Sequence, residues 1–365
     1  MRLERLWLRD FRNIAEAELL PAEGVNILYG DNAQGKTNLL EALWLFTGGK
    51  SFRGAKDSEL VRFTAENACI AADFHAEDRD QRAEIRIDKR RAVTLNGVPQ
   101  PAANRLTGHF FAVVFSPDHL SLVKEGPEGR RRFMDAAYCQ LRPAYIKVLA
   151  GYLRALGQRN ALLKSWRQCP DPDMLEVWDT RLAGFGSQVI AARGQYVAWL
   201  TDCAGSIYAG LSGGREQLCI AYEPEKGYAG KTVAQVEQSL KEQLRAQRQI
   251  DIEAGFTTRG PHREDLQVQI SGLSARLFGS QGQQRSAVLA LKLGEAAVLR
   301  KQTGERPIVL LDDVMSELDV SRQEYIINHM EGWQVFITCC DPSSVGRLMD
   351  GRKFHVKQGT LIRED

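Results

Sequence analysis

Hydrophobic and polar positions along this chain change period several times, and each change predicts an element. Up to about residue 115 the pattern is mostly that of strands. Residues 2–8, 14–20 and 25–29 come first, followed by 69–75 and 83–88, which alternate as solvent-faced antiparallel strands do. From residue 130 to about 166 the repeat lengthens to helical spacing through Met134, Tyr138, Leu141, Tyr145, Leu149, Leu156 and Leu163, with Pro143 expected to kink or interrupt it. The proline-rich segment 169–173 breaks the pattern, and a second amphipathic stretch follows from 175 to 208. A short strand at 218–222 and a polar helix around 233–248 come next. An Ala/Leu-rich helical pattern at 286–300 leads to strands ending at Leu311, at 334–338 and at 354–356. The helical stripes read as core-facing, and no repeat of fixed period is present.

Two stretches of this pattern carry chemistry. Gly30-Asp31-Asn32-Ala33-Gln34-Gly35-Lys36-Thr37 fills G-x-x-x-x-G-K-[ST] between the 25–29 strand and a helical run through Leu39, Leu40, Leu43 and Trp44. That setting suits phosphate binding, because glycines let backbone N–H groups wrap the phosphates and the helix N-terminus adds its dipole. Lys36 is then expected at the β/γ-phosphates and the Thr37 hydroxyl on Mg²⁺. The run Ile308-Val309-Leu310-Leu311-Asp312-Asp313 reads as a buried parallel strand ending in two carboxylates. Asp312 is placed to hold Mg²⁺ through its water shell, and Asp313 to orient and deprotonate an attacking water.

A third stretch, Phe278-Gly279-Ser280-Gln281-Gly282-Gln283-Gln284-Arg285, sets a hydroxyl and exposed N–H groups at a helix start, an anion site suited to a γ-phosphate. It resembles the signature of ABC-type ATPases, and Ser316-Glu317-Leu318-Asp319 resembles their D-loop. In that class the signature acts on the nucleotide of a second subunit, so the resemblance implies a homodimer sandwiching ATP, with Ser280, Gly282 and Gln283 acting in trans. Lys36 and Ser280 are 244 residues apart, so the ATPase core is split by an insertion that lacks the long heptads of SMC-type relatives.

The further likeness runs from end to end. Leu8-Arg9-Asp10-Phe11-Arg12-Asn13, Lys50-Ser51-Phe52-Arg53, Pro117-Asp118 through Gly126-Pro127 to Arg131-Arg132-Phe133-Met134-Asp135, and Arg159-Asn160-Ala161-Leu162-Leu163-Lys164 each resemble a segment of the RecF family. Gly260-Pro261-His262-Arg263-Glu264-Asp265-Leu266 is similar to the family's G-P-H-R-D-D-L, with Glu264 where Asp is usual. The resemblance implies an α/β fold: an ABC-type P-loop ATPase head with mixed sheets over residues 1–125 and 256–365, split by a largely helical insertion lobe over 126–255. It implies a cytoplasmic ATP- and Mg²⁺-dependent switch with weak DNA-stimulated ATPase activity. The DNA would be single-strand gaps and ss/dsDNA junctions, with RecR as partner and RecO and RecA downstream. Adenine contacts are assigned by position to Arg12 and Asn13, and the Q-loop to residues 116–118. The switch His of transporter-type relatives is replaced by Thr338-Cys339-Cys340-Asp341, which implies slow turnover.

Composition adds limits. A chain of 365 residues, 44% hydrophobic, buries one large core or two smaller ones. It has no apolar run long enough to span a bilayer and no signal peptide, and its seven cysteines without C-x-x-C suggest reduced thiols. With a net charge of only +2, DNA contact must come from local patches, for which Lys50 with Arg53 and the run Arg130-Arg131-Arg132 are the choices, Lys56 and residues 89–91 being further candidates. Two other classes fit the P-loop. An ATPase subunit of a membrane transport complex is opposed by the wide motif separation, and a small-molecule kinase has no use for a trans-acting signature.

Overall fold

The computed structural model describes residues 1–166, 170–223, 228, 230–342 and 351–364; Cys169, in the expected break between helices, lies outside the described residues. Two compact units result: Met1–Leu120 with Ser206–Glu216 and Val288–Asp365, and Ser121–Gly205 with Gln217–Ala287. In chain order the first unit opens with β1 (Arg2–Phe11), β2 (Ile14–Leu19), β3 (Val25–Tyr29), α1 (Lys36–Leu45), β4 (Ala68–Ala76), β5 (Arg79–Ile87), β6 (Arg91–Leu95), β7 (Val98–Gln100) and β8 (Ala112–Phe115). Then follow α2 (Ser121–Lys124), α3 (Pro127–Leu141), α4 (Tyr145–Ser165), α5 (Pro172–Leu211), β9 (Leu218–Glu223), α6 (Val233–Ala246), α7 (Arg248–Ala254), β10 (Asp265–Ile270), β11 (Leu273–Ser274) and α8 (Ala275–Phe278). The helix α9 (Gln281–Thr303) leads to β12 (Ile308–Asp312), α10 (Val320–His329), β13 (Val335–Cys339), β14 (Arg352–Lys357) and β15 (Thr360–Glu364).

Period-2 patterning becomes an antiparallel sheet of order β2-β1-β4-β5-β6-β7. In β5 buried and exposed residues alternate from Gln81 to Ile87, the pattern of a sheet with one wet face. The second sheet has the order β15-β14-β3-β13-β12-β8, parallel from β14 to β8 with β15 added antiparallel. Every residue of β12 and β13 is buried, as expected of central parallel strands. Leu6, Leu8 and Phe74 of the first sheet, Leu28, Leu310 and Phe336 of the second, and Leu40 and Leu43 of α1 share one apolar core. This core holds the phosphate-loop helix against the sheet that carries the carboxylates.

Pro143 interrupts the expected helix: α3 ends at Leu141 and α4 restarts at Tyr145. The first stretch of the first unit ends at Leu120, and Ser206–Glu216 joins that unit from within the segment expected as insertion. Residues 256–287 belong with the helical unit, because β10 pairs with β9 along all six residues and β11 pairs with β10. A backbone ladder outweighs adjacency in sequence to the P-loop partner strand. The start of the signature therefore lies in the second unit.

The second unit is stitched by buried ion pairs that coincide with the family-like segments. Arg159 is 0% exposed and donates to Asp179 (2.6 Å), Asp251 (2.6 Å) and the Thr257 hydroxyl (2.9 Å), while Asn160 Oδ1 accepts from Thr257 N (2.8 Å). Arg193 forms a bidentate pair with Asp135 (2.9 and 2.8 Å) and donates to Pro261 O (2.6 Å). His262, between the Tyr152 hydroxyl (2.6 Å) and Thr257 O (3.0 Å), is pushed down by burial to about 4 and stays neutral at physiological pH. Glu264, the departure from the usual Asp, bonds the Tyr222 hydroxyl.

Removing one partner of a buried network leaves the others charged and unpaired. Arg159→Met is expected to destabilise the protein by about 3–5 kcal/mol, read as a lower urea midpoint. A midpoint equal to wild type would contradict this account of the segment.

Candidate nucleotide site

The phosphate loop connects β3 to α1, and its backbone shows why its residues are needed. Gly30 (φ 144°) and Gly35 (φ 116°) occupy the left-handed region, and Ala33 joins them at φ 64°. A Cβ on Gly35 would lie 2.8 Å from Asn13 Oδ1. Lys36 opens α1 with its chain buried, and its ammonium donates to the loop's own carbonyls, Gly30 O (2.5 Å) and Asp31 O (2.9 Å).

β3 and β12 do not touch; β13 lies between them. The two halves of the site meet across that strand. Thr37 Oγ1 donates to Asp312 Oδ1 (2.7 Å), and Thr338 Oγ1, at the end of β13, donates to the same oxygen (2.9 Å). Burial raises the Asp312 carboxyl above the usual range and the Asp313 charge adds to this, while the bonds from Thr37 and Thr338 and the Arg53 charge oppose it. A carboxylate destabilised by burial beside a hydroxyl is a fitting donor pair for a hard divalent cation. Asp313 takes a left-handed backbone (φ 52°), with its N–H held by Thr338 Oγ1 (2.9 Å). This turn sends consecutive carboxylates different ways: Asp312 is bound between Thr37 and Thr338, and Asp313 lines the open cleft.

The cleft has a volume of about 1060 Å³. Its walls include the loop from Asn32 to Asn38, Arg12, Asn13, Arg53 and the segment 61–65, where Phe63 is wholly exposed. Arg12 borders it, but its guanidinium is bound bidentately to buried Glu41 (2.8 and 2.8 Å), so it acts first as a brace of α1. Arg53, expected in a DNA patch, is exposed. It lines the cleft and donates to Asn38 Oδ1 (3.0 Å), because the Ser51 hydroxyl anchors its segment to Glu41.

Arg130 is corrected as a DNA contact. It is 5% exposed, paired bidentately with Asp265 (2.7 and 2.8 Å), and donates to the carbonyls of Leu122 (2.9 Å) and Glu125 (3.0 Å). One turn of α3 divides the run of three arginines between core and surface. Arg131 is half-buried on Glu264 O (2.8 Å), and only Arg132 is exposed, with Glu128 at 3.4 Å. Lys50 is exposed. Residues 116–118, the expected Q-loop, follow β8 at the sheet edge and are not among the residues lining the cleft.

Ser280 and Gln283 cap α9 reciprocally: Ser280 N donates to Gln283 Oε1 (2.7 Å) and Gln283 N to Ser280 Oγ (3.2 Å). Neither they nor Gly282 line the cleft, whose described walls all belong to the first unit. The D-loop-like segment forms a short turn at Met315–Glu317, after which Asp319 caps α10. Three contributors escaped the sequence reading: Thr338, Asn38 and the turn between β14 and β15. Of these only Thr338 left a signal, as a hydroxyl residue at the end of a strand able to lie beside the carboxylate strand.

A parallel sheet with a phosphate loop on one strand, a carboxylate pair two strands away and an antiparallel sheet over the same core defines an ABC-type P-loop ATPase head. The family described as RecF/RecN/SMC N terminal domain matches residues 2–357. DNA replication and repair protein RecF of Acetivibrio thermocellus is 37% identical over 97% of this chain and 96% of its own, and that of Agathobacter rectalis 38% over 99% of each. Solved structures described as the recombination mediator protein RecF in the RecFOR pathway, one with ATP and one with ATPrS, are 36% identical. They superpose with TM-scores of 0.92 and 0.93 over 100% of this chain and 98% of theirs. The chain belongs to the RecF family. An Smc head domain from Pyrococcus furiosus, 15% identical with a TM-score of 0.58, shares the fold.

With Lys36 removed, the loop loses the only side-chain ammonium among the described residues lining its cleft. Lys36→Met is expected to lower ATP turnover by about 100-fold or more. Turnover equal to wild type would remove the phosphate-loop assignment.

Proposed function

We propose that this chain is an ATP-dependent DNA-binding switch in the recombinational repair of single-strand gaps. ATP with Mg²⁺ fills the cleft and two copies close around two nucleotides. The closed pair holds DNA at single-strand gaps and ss/dsDNA junctions and, with RecR and RecO, helps load RecA; slow, DNA-stimulated hydrolysis to ADP and phosphate resets it, in the cytoplasm. The reading rests above all on one observation. Thr37 and Asp312 are joined at 2.7 Å, so the metal side of a P-loop site is assembled. A site of that kind is completed by a second copy's signature.

Each residue's part follows from its surroundings. Backbone N–H groups of residues 31–36 face the phosphates, and Lys36 exchanges the carbonyls of Gly30 and Asp31 for β/γ-phosphate oxygens. The Thr37 hydroxyl and the Asp312 carboxylate would hold Mg²⁺, which when bound would supply charge neutralisation at those oxygens. Asp313, kept off the metal side by its backbone turn, takes the proton of the attacking water. The capped start of α9 offers the Ser280 hydroxyl and the positive end of the helix dipole to the γ-phosphate of the other copy. Closure brings exposed basic groups of two copies, Lys50 and Arg132 among them, onto one DNA, so affinity for DNA follows the nucleotide state.

Two outcomes test this reading. Ser280→Arg is expected to bind ATP as wild type does but to remain monomeric with ATP by light scattering; a variant that still dimerises contradicts trans action of the signature. Asp313→Asn is expected to abolish hydrolysis while releasing gapped DNA several-fold more slowly than wild type in ATP, with the complex weakened by added salt. Release as fast as wild type without hydrolysis would separate the chemistry from the DNA cycle.

A further inference from the structure

The outward face of the phosphate loop is fastened by residues from two distant parts of the chain. Gln34 O accepts from Gly359 N (2.9 Å) and from Asn13 Nδ2 (3.1 Å), and Ala33 O accepts from the same Nδ2 (3.4 Å). The Gln34 side chain accepts from Gln358 N (2.6 Å). Asn13 is held in turn, its Oδ1 accepting from Asn38 Nδ2 (2.8 Å), which ties it to the first turn of α1. The hairpin turn that supplies the other two donors has both residues in the left-handed region, Gln358 at φ 50° and Gly359 at φ 74°. Tyr29 and His355 stack with ring centroids 5.0 Å apart, joining the strand before the loop to the strand before that turn.

The carbonyls of Ala33 and Gln34 are the part of the loop held from outside, whereas those of Gly30 and Asp31 face Lys36. Free in water, such a glycine-containing loop has many alternatives, and their entropy is lost when phosphate binds. Here Gln34 O has both lone pairs taken, and Gly35, where a side chain would collide with Asn13, completes the fit. Ordering of this kind improves affinity by reducing what must be fixed on binding. Asn13 spends its donor on the loop's carbonyls and its acceptor on Asn38, and so is occupied on the phosphate side of the cleft.

We infer that Asn13 and the Gln358–Gly359 turn are positioning residues that hold the phosphate loop in its anion-binding form, so that Asn13 acts on the nucleotide's phosphates and not on its base. The inference rests on the nucleotide-site reading above. The test uses the full chain and compares wild type, Asn13→Ala and Gln34→Ala in three measurements: binding of Mg-ATP, binding of inorganic tripolyphosphate with Mg²⁺, and hydrogen exchange of the amides of residues 31–36 without nucleotide. Both variants are expected to weaken ATP and tripolyphosphate alike, by about fivefold to tenfold, and to speed exchange of the loop amides. ATP weakened with tripolyphosphate unchanged would place Asn13 on the base and overturn the inference. Loop exchange as slow as wild type in Asn13→Ala would overturn it too. Because exchange is read without nucleotide, it decides the brace even if wild type bound neither ligand, an outcome that would defeat the nucleotide reading alone.

Discussion

One carboxylate oxygen organises the first unit. Asp312 Oδ1 receives a hydrogen bond from Thr37 at the start of α1 and another from Thr338 at the end of β13, so three elements far apart in sequence converge on one acceptor. The parallel order β3-β13-β12 makes this possible, because it brings three strand ends to the same edge of the sheet. Burial makes the carboxylate costly to ionise, and the same cost makes it responsive to a cation. The phosphate loop, the left-handed turn at Asp313 and the open cleft are all positioned from this junction. Loss of register between β12 and β13 would separate the metal side of the site from the phosphate side.

The charged residues of the family-like segments fall into two groups with different work. Arg130, Arg159 and Arg193 pair with Asp265, Asp179 with Asp251, and Asp135 inside the helical unit, the Arg159 pairs fully buried. Such pairs contribute specificity of packing more than net stability, since the desolvation of each charge is offset only by good geometry. Arg12 and Arg53 gather instead around buried Glu41 beneath the cleft. Arg9, Lys50, Arg53, Arg132, Lys164 and Arg263 of these segments stay exposed. A chain with net charge +2 presents a polyanion with local patches rather than a uniform positive field. Among the described residues no helix is long and apolar enough to cross a membrane.

The sequence by itself determined the chemistry of the half-sites. Fixed spacing of Gly30, Gly35, Lys36 and Thr37 between a strand and a helix, and an apolar run ending in Asp312 and Asp313, are local patterns whose meaning depends on neighbours a few residues away. The main strands and the break at Pro143 were legible for the same reason, since period and proline act locally. Tertiary structure alone decided which of several equivalent-looking residues does what. Three consecutive arginines differ only by their angle around α3, which buries Arg130 against Asp265 and leaves Arg132 in solvent. Pairing of β9 with β10 drew residues 256–287 away from the ATPase unit, and a turn more than 300 residues downstream came to hold the phosphate loop. Long-range pairing depends on which partners meet in three dimensions, and no local period records that choice.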